Sequence, residues 1–264
     1  MWVGVVSIFP DMFRMLTSEG VVARAIAQRT LDLVVENPRD HADDRHSTVD
    51  DRPYGGGPGM VMKVEPLVRA VEALKARADG PTRTLYLSPQ GERLAQPKVE
   101  ALAREERLVF IAGRYEGIDE RVIDAVVDEQ ISLGDFVLTG GELPIMVVLD
   151  AIARYLPGTL GNAESSEAES FRNGAFDWAH YTRPEQVLGR SVPPVLLSGD
   201  HAAIARWRTR DALGRTYERR PDLLSRRRLS VEERGLLANY LDEHLDEHLD
   251  EHLEKHLEQP GRVN

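Results

Sequence analysis

The feature that constrains the fold most is an alternation of short apolar runs with longer helical patterns between Val3 and Leu156. We interpret five apolar runs as strands: Val3–Ile8, Leu31–Val35, Thr84–Leu87, Leu108–Ala112 and Phe136–Leu138. Three segments that open with proline, which suits the first helical turn, are predicted helices: Pro10–Leu16, Pro66–Ala78 and Pro144–Leu156. Strands that alternate with helices predict an α/β fold with a largely parallel sheet.

Composition excludes several classes of protein. Apolar residues make up 42% of the 264 residues, which is enough to bury a core, and the net charge of −11 excludes a uniformly basic nucleic-acid-binding protein. Cysteine is absent, so disulfides, thiolate metal sites and cysteine nucleophiles are excluded. No apolar run approaches the length of a membrane span, and the N-terminal run ends at Pro10 without a basic segment before it. We therefore expect a soluble cytoplasmic protein that begins with a strand rather than a signal peptide.

Three glycine-containing loops follow or span predicted strands. They cover residues 86–91 (YLSPQG), 112–119 (AGRYEGID) and 133–144 (LGDFVLTGGELP). Ligands of open α/β sheets bind beyond the carboxyl ends of the strands, and glycine lets the backbone approach them closely. The three loops therefore predict one composite ligand pocket.

The glycine motifs do not match a nucleotide fingerprint. No GxGxxG follows a strand, and the glycine-rich stretch 54–60 lacks the Lys-Ser/Thr of a phosphate loop. These absences disfavour a dinucleotide enzyme and a nucleotide triphosphatase. The stretch 54–60 either closes over a substrate or turns the chain.

The second half of the chain has a different character. Residues 158–174 are rich in Gly, Ser, Asn and Glu and predict a linker, so we place a domain boundary near residues 160–175. Helices are predicted over Asp200–Leu213 and from Ser230 onward, where Ser230 and Glu233 fit a capping box.

Charge is unevenly spread over this half. Residues 201–234 hold ten arginines against five acidic residues, together with Trp207 and Tyr217. Arginine grips phosphate with two hydrogen bonds and stacks on bases, so this block favours RNA. From Leu241 onward eight acidic residues face two basic ones, and LDEH occurs three times. The spacing of His244, His248, His252 and His256 would suit metal chelation, but a solvated acidic helix of low complexity is the simpler interpretation.

Arg154 and three glutamates are further candidates. Arg154 lies on an otherwise almost wholly apolar predicted helix, where an arginine either extends to water or has a specific partner. Glu164, Glu167 and Glu169 lie in the predicted linker, and from the residues alone we interpret each as solvated surface.

Seven motifs together resemble the bacterial tRNA (guanine-N1)-methyltransferases that act at position 37, the TrmD family of the SPOUT class. They are DRPYGGGPGM (51–60), LSPQG (87–91), GRYEGIDERV (113–122), LTGGELP (138–144), HYTRP (180–184), VPPVLLSGDH (192–201) and LGRTYERRPDLL (213–224). The resemblance extends from Met1 to about Tyr240 and excludes the tail.

The resemblance implies a trefoil-knotted α/β domain with a parallel sheet, followed by a small, mostly helical C-terminal domain. It places an S-adenosylmethionine-binding catalytic domain at 1–160, a linker at 161–176 and a tRNA-binding domain at 177–240, before the acidic tail 241–264. It also implies a homodimer with a shared active site, and an activity that supports reading-frame maintenance. By position, the residues that would bind S-adenosylmethionine are Tyr86, Leu87, Ser88, Pro89, Gly113, Tyr115, Glu116, Gly117, Leu133, Gly134, Asp135, Phe136, Val137, Leu138, Gly140, Gly141 and Pro144.

The resemblance also assigns the chemistry. Guanine N1 is a poor nucleophile until it loses its proton, which moves negative charge toward O6. Arg154 would stabilise O6, and the family places an aspartate base where this chain has Glu169. Glutamate adds a methylene, so Glu164 or Glu167 stay alternatives. The family is reported to need Mg²⁺, for which the sequence offers no ligand set.

Two other functions stay open from the sequence. One is a methyltransferase of the same knotted class that acts on another RNA site. The other is a non-catalytic RNA-binding relative in which Glu169 marks decay of the active site.

Overall fold

The computed structural model describes residues 1–160, 170–171 and 173–243. The chain divides into two compact units, Met1–Ser166 and Glu167–Asn264. Residues 244–264 of the predicted tail, with its four histidines, and the carboxylates Glu164, Glu167 and Glu169 lie outside the described residues. Within the described ranges, no helix combines the length and apolar character that crossing a membrane requires.

A five-stranded parallel sheet organises the first unit, with strand order β2-β1-β6-β5-β7. These strands are β1 (Trp2–Val6), β2 (Asp32–Glu36), β5 (Arg83–Arg93), β6 (Arg107–Ile111) and β7 (Glu129–Ser132). A two-stranded antiparallel hairpin, β3 (Asp50–Asp51) with β4 (Val61–Met62), lies outside this sheet. The predicted α/β class with a parallel sheet is confirmed.

Helices cover both faces of the sheet. They are α1 (Arg14–Ser18), α2 (Gly20–Ala27), α3 (Val64–Arg77), α4 (Gln96–Ala103), α5 (Glu120–Val126) and α6 (Glu142–Ala153). In β6, Leu108 and Phe110 pack in one core with α2, α4 and α6, whereas Val109 and Ile111 pack in a second core with α3 and α5. This alternation follows from the two-residue period of a strand, and it explains why the buried strands are apolar throughout.

One predicted strand is wrong. Phe136–Leu138 forms no strand; it lies in a loop where Val137 is 84% exposed. The last strand of the sheet is instead β7, a short EQIS sequence in which only Ile131 and Ser132 are buried. The apolar character of residues 136–138 therefore reflects a loop that lines a cavity rather than a core strand. The other four predicted strands are present with shifted ends, as is the helix predicted over Pro66–Ala78.

The remaining predicted helices of the first unit are also present, with altered bounds. The segment Pro10–Leu16 becomes a 3-10 turn, Pro10–Phe13, that leads into α1, and Pro144–Leu156 becomes α6. A second 3-10 turn, Pro38–His41, follows β2.

The second unit is mainly helical. It contains the hairpin β8 (Gln186–Val187) and β9 (Arg190–Ser191), then α7 (Pro194–Leu197), α8 (His201–Arg219), α9 (Pro221–Ser225) and α10 (residues 231–243). Asp200 caps α8 by accepting hydrogen bonds from the backbone N–H groups of Ala202 and Ala203. The predicted capping box is confirmed, because Ser230 Oγ accepts from Glu233 N at 3.1 Å and Glu233 Oε2 accepts from Ser230 N at 2.8 Å.

Candidate active site

A cavity of about 380 Å³ lies where the chain leaves β5, β6 and β7. Because these strands are parallel neighbours, their carboxyl ends meet at one edge of the sheet. Each strand contributes one of the three predicted loops. The volume lies in the range of ligand pockets, which are a few hundred to about 1,000 Å³.

The first loop is a bulge within β5. Pairing of β5 with β7 shifts between Leu87 and Glu92, so residues 88–91 leave the ladder and then return to it. At Gly91 the backbone passes so close to β7 that a Cβ would lie 2.4 Å from Ile131 N. The bulge therefore forms part of the cavity wall, and β5 continues beyond it.

The second and third loops are joined through their backbones. Gly141 N donates a hydrogen bond to Gly113 O at 2.8 Å, and Arg114 pairs with Gly140 in an antiparallel bridge. A Cβ on Gly141 would lie 2.7 Å from Ala112 Cα, so only glycine permits this approach. The spacing of the two loops is consequently set by backbone contact.

The structure brings nearly all predicted cofactor residues together around this cavity. Those that line it are Tyr86, Leu87, Ser88, Pro89, Gly113, Tyr115, Glu116, Gly117, Leu133, Gly134, Phe136, Val137, Leu138, Gly140, Gly141 and Pro144. Asp135 does not line it and is exposed. Burial raises the pKa of the Tyr86 phenol, which therefore stays protonated at neutral pH.

Nine lining residues are not among the predicted cofactor-binding residues: Gln90, Arg114, Ile118, Glu120, Ile123, Gln130, Ile131, Ser132 and Thr139. Four of them, Gln90, Arg114, Ile118 and Thr139, lie within the three loops that the sequence predicts to form the pocket. Arg114, Ile118 and Thr139 are adjacent in sequence to predicted cofactor-binding residues, so the same motifs indicate that they lie near the cofactor. Gln130, Ile131 and Ser132 belong to β7, and the misplacement of that strand explains why they were overlooked.

The glycine-rich stretch belongs to the hairpin β3–β4, which docks on the second loop. Glu116 N donates to Met60 O at 3.0 Å, and Met62 N donates to Gly117 O at 3.0 Å. The tip of the hairpin is open, because Tyr54 is 98% exposed and a Cβ on Gly55, Gly56 or Gly57 would meet nothing. The stretch thus turns the chain and also carries an exposed surface beside the cavity loop.

Arg154 lies apart from this cavity. It caps the C-terminal end of α6, is half-buried and is not among the residues that line the cavity. Pro144, at the other end of α6, does line it. Ten residues of helix separate the two, a rise of about 15 Å.

The arginines of the second unit fall into two groups. Some form ion pairs with neighbouring carboxylates: Arg210 with Glu243, Arg215 with Asp211, Arg220 and Arg226 with Asp222, and Arg227 with Glu233. The others that the structure describes are exposed and form no ion pair with any described residue: Arg183, Arg190, Arg206, Arg208, Arg219, Arg228 and Arg234. The cationic surface is therefore smaller than the arginine count indicates.

Aromatic side chains accompany the exposed arginines. The guanidinium carbon of Arg208 lies 4.6 Å from the centre of the Trp178 ring. Tyr181 and Trp207 pack edge to face with ring centres 6.2 Å apart. Exposed arginines beside aromatic rings form a surface on which phosphates and unstacked bases can both bind.

Comparison with known proteins gives a consistent result. The family described as "tRNA (Guanine-1)-methyltransferase TrmD" matches residues 1–226. The chain is 57% identical over 242 residues to a tRNA (guanine-N(1)-)-methyltransferase of Pseudomonas paraeruginosa. The aligned region covers 91% of this chain and 96% of that relative. Enzymes of the same description from Nitrosococcus oceani and Vibrio vulnificus are 58% and 53% identical, over 91% and 92% of this chain and 95% and 98% of the relatives.

Proposed function

From the premise that this chain belongs to the TrmD family of tRNA (guanine-N1)-methyltransferases, which methylate guanine 37, we propose which of its residues carry out each part of the reaction. The observation that carries the proposal is the single cavity that unites the three predicted loops. One region holds the methyl donor, and separate groups bind and activate the guanine.

The cavity is the site for S-adenosylmethionine, the methyl donor. Its walls combine apolar side chains, such as Leu87 and Leu138, with backbone from Gly113, Gly140 and Gly141. Backbone N–H and C=O groups in these loops would bind the polar edges of the donor, and the closed loop geometry would hold it bent. The donor supplies an electrophilic methyl group, while the protein contributes orientation.

We assign to the first unit the trefoil knot that the resemblance implies. Two contacts support it, the hydrogen bond from Gly141 N to Gly113 O and the bridge between Arg114 and Gly140, through which the chain that leaves β7 returns to lie against the loop after β6. Knots are rare in proteins, so a knotted chain here would need a specific functional reason. Close backbone contact between the second and third loops would supply one, because it shapes the donor cavity.

Arg154 is the proposed O6 ligand, and its distance from the cavity favours a site shared between two subunits. Within one chain, α6 separates Arg154 from the donor cavity by about 15 Å. A homodimer in which the Arg154 end of one α6 faces the partner's cavity would bring the guanidinium to the guanine. There it would stabilise the negative charge that develops on O6.

Glu169 is the proposed base that removes the proton from N1. A carboxylate has the right chemistry, and the added methylene relative to aspartate changes its reach. A misplacement of about 1 Å costs around a hundredfold in rate, so the surrounding linker must compensate for the longer side chain. Glu164 and Glu167 are the alternatives in the same segment.

The second unit is the proposed binding site for the anticodon arm. Its exposed Arg206, Arg208 and Arg219 would bind phosphates, and the aromatic rings beside Arg208 and Trp207 would accept unstacked bases. Arginines already paired to carboxylates would contribute less to this binding.

The Mg²⁺ that the resemblance implies is given no residues here. Among the described residues, no group of three or more His, Asp or Glu side chains is arranged to hold a metal ion. We therefore derive no step through Mg²⁺.

The deciding experiment uses the purified full chain, S-adenosylmethionine labelled in its methyl group, and tRNA transcripts that differ only at nucleotide 37. We expect label in the G37 transcript alone, and about a 100-fold or greater loss of rate in Glu169→Gln with donor binding intact. Label that does not depend on nucleotide 37 would contradict the assigned target. Normal turnover of Glu169→Gln would place the base elsewhere in the linker.

A further inference from the structure

A buried ion pair joins the second and third cavity loops, and the reaction described above gives it no role. Glu142, the first residue of α6, is fully buried, and its Oε2 accepts a hydrogen bond from Arg114 Nε at 2.8 Å. Its Oε1 accepts a hydrogen bond from Ser7 Oγ at 2.7 Å. Apolar residues of similar volume often stabilise a core as well as a buried ion pair does. The pair therefore points to a requirement for geometry rather than for stability.

Every nitrogen of the Arg114 guanidinium has a protein partner. Besides the bond from Nε to Glu142, Nη1 donates to Thr139 O at 3.2 Å and Nη2 lies 3.3 Å from Met12 Sδ. The guanidinium carbon also lies 4.6 Å from the centre of the Phe9 ring. Arg114 lines the cavity, and three of its five N–H donors bind protein atoms rather than a ligand.

The third loop is shaped to receive this guanidinium. A Cβ on Gly140 would lie 2.2 Å from Arg114 Nε, so glycine is needed for the side chain to lie against the loop. Ser7 Oγ also accepts a hydrogen bond from Phe9 N at 3.0 Å, which ties in the segment that follows β1. One buried carboxylate therefore connects the segment after β1, the loop after β6 and the start of α6.

We propose that Glu142 is a positioning residue for the methyl donor: through Arg114 it fixes the third loop at the spacing from the second loop that S-adenosylmethionine requires. This inference rests on the proposed assignment of the cavity to that donor. Glu142 does not line the cavity itself, so its influence on the donor passes through Arg114 and Thr139 O.

The test measures donor affinity by calorimetry with the full chain, in the wild type, Glu142→Gln, Arg114→Met and the double variant. We expect Glu142→Gln to weaken the binding of S-adenosylmethionine about tenfold, the size of one charge-assisted hydrogen bond, and to leave the KM for tRNA unchanged. Because both residues act as one unit, the double variant should lose no more affinity than the weaker-binding single variant.

Glu36→Gln is the matched control. Glu36 is also a nearly buried carboxylate with two partners, His41 at 2.8 Å and Arg77 at 2.9 Å, and it does not line the cavity. Glu36→Gln should lower the melting temperature of the protein without changing its affinity for the donor. Ser7→Ala is the milder variant should Glu142→Gln not fold; removing one neutral hydrogen bond should weaken donor binding about threefold.

The outcomes separate the two proposals. If the wild-type chain does not bind S-adenosylmethionine, the proposed function fails. If the wild-type chain binds the donor and folded Glu142→Gln binds it with the same affinity, the positioning role is overturned. Where Glu142→Gln does not fold, wild-type donor affinity in folded Ser7→Ala overturns the role in the same way. Independent, multiplying losses in the double variant would also overturn it, because Glu142 would then act without Arg114.

Discussion

The donor cavity and the proposed RNA-binding groups are built on different physical principles. The cavity is complete within the first unit, and close backbone contacts such as Gly141 N to Gly113 O fix its shape. The RNA-binding groups are cationic side chains: Arg154 is half-buried at the end of α6, and Arg206 and Arg208 are exposed on α8. Under the proposed assignment, shape would select the small, chemically fixed donor, whereas charge would bind the large polyanion. Changes in the two regions should therefore have separable effects.

The largest separable effect is expected at Arg154. Arg154→Ala should lower kcat about 100- to 1,000-fold, because it removes the group proposed to stabilise charge on guanine O6. Donor affinity should stay at the wild-type value, since Arg154 does not line the cavity. Single-turnover methylation and calorimetry on the same preparation measure the two quantities. A parallel loss of donor affinity would show that the regions are not independent.

The converse change is Gly141→Ala. A Cβ here would lie 2.7 Å from Ala112 Cα and 3.0 Å from Gly113 N, and both of these neighbours are backbone atoms that cannot rotate away. We expect donor binding to weaken about 50-fold from the forced separation of the loops, with tRNA affinity unchanged. Gly235→Ala is the matched control, since a Cβ at Gly235 meets nothing within 4 Å. Wild-type donor affinity in Gly141→Ala would contradict the backbone-contact account.

Mixing these two impaired variants, at a donor concentration too low to saturate Gly141→Ala, sharpens the comparison further. If the site is shared, a heterodimer of Arg154→Ala and Gly141→Ala subunits keeps one intact cavity facing one intact Arg154, and methylation should return above either variant alone. If Arg154 serves the cavity of its own chain, each site of the heterodimer is damaged and activity stays low. Co-expressed, differently tagged subunits allow this measurement.

The same contrast explains which features could be predicted from the sequence. Buried strands such as Leu108–Ala112 can be predicted from their continuous apolar residues, and the three predicted loops contain most of the residues that line the cavity. The apolar run Phe136–Leu138 was misassigned because a loop that lines a cavity and a core strand have the same composition. The partners of Glu142 could not be predicted, since Ser7 and Arg114 are distant in sequence and only the sheet order brings them together.

Salt should also distinguish the two regions. Raising monovalent salt from about 50 to 200 mM should weaken tRNA binding about 20-fold if roughly three phosphates are contacted, because bound counterions are released from the RNA. Donor affinity should change little over the same range, because the small donor, unlike tRNA, has no condensed counterions to release. Filter binding and calorimetry at matched salt give both curves. A salt-independent tRNA affinity would contradict the charge-based grip.

The smallest expected effect comes from a single exposed arginine. Arg208 stacks over Trp178 and has no ion pair within the described chain, so Arg208→Ala should weaken tRNA binding about threefold and reduce the salt slope by about one. Arg210 is only two residues away, but Glu243 engages it through both carboxylate oxygens at 2.7 Å. Arg210→Ala should therefore leave the salt slope unchanged. Equal slopes for the two variants would mean that internal ion pairing does not decide which arginines reach the RNA, and that arginine count alone governs affinity.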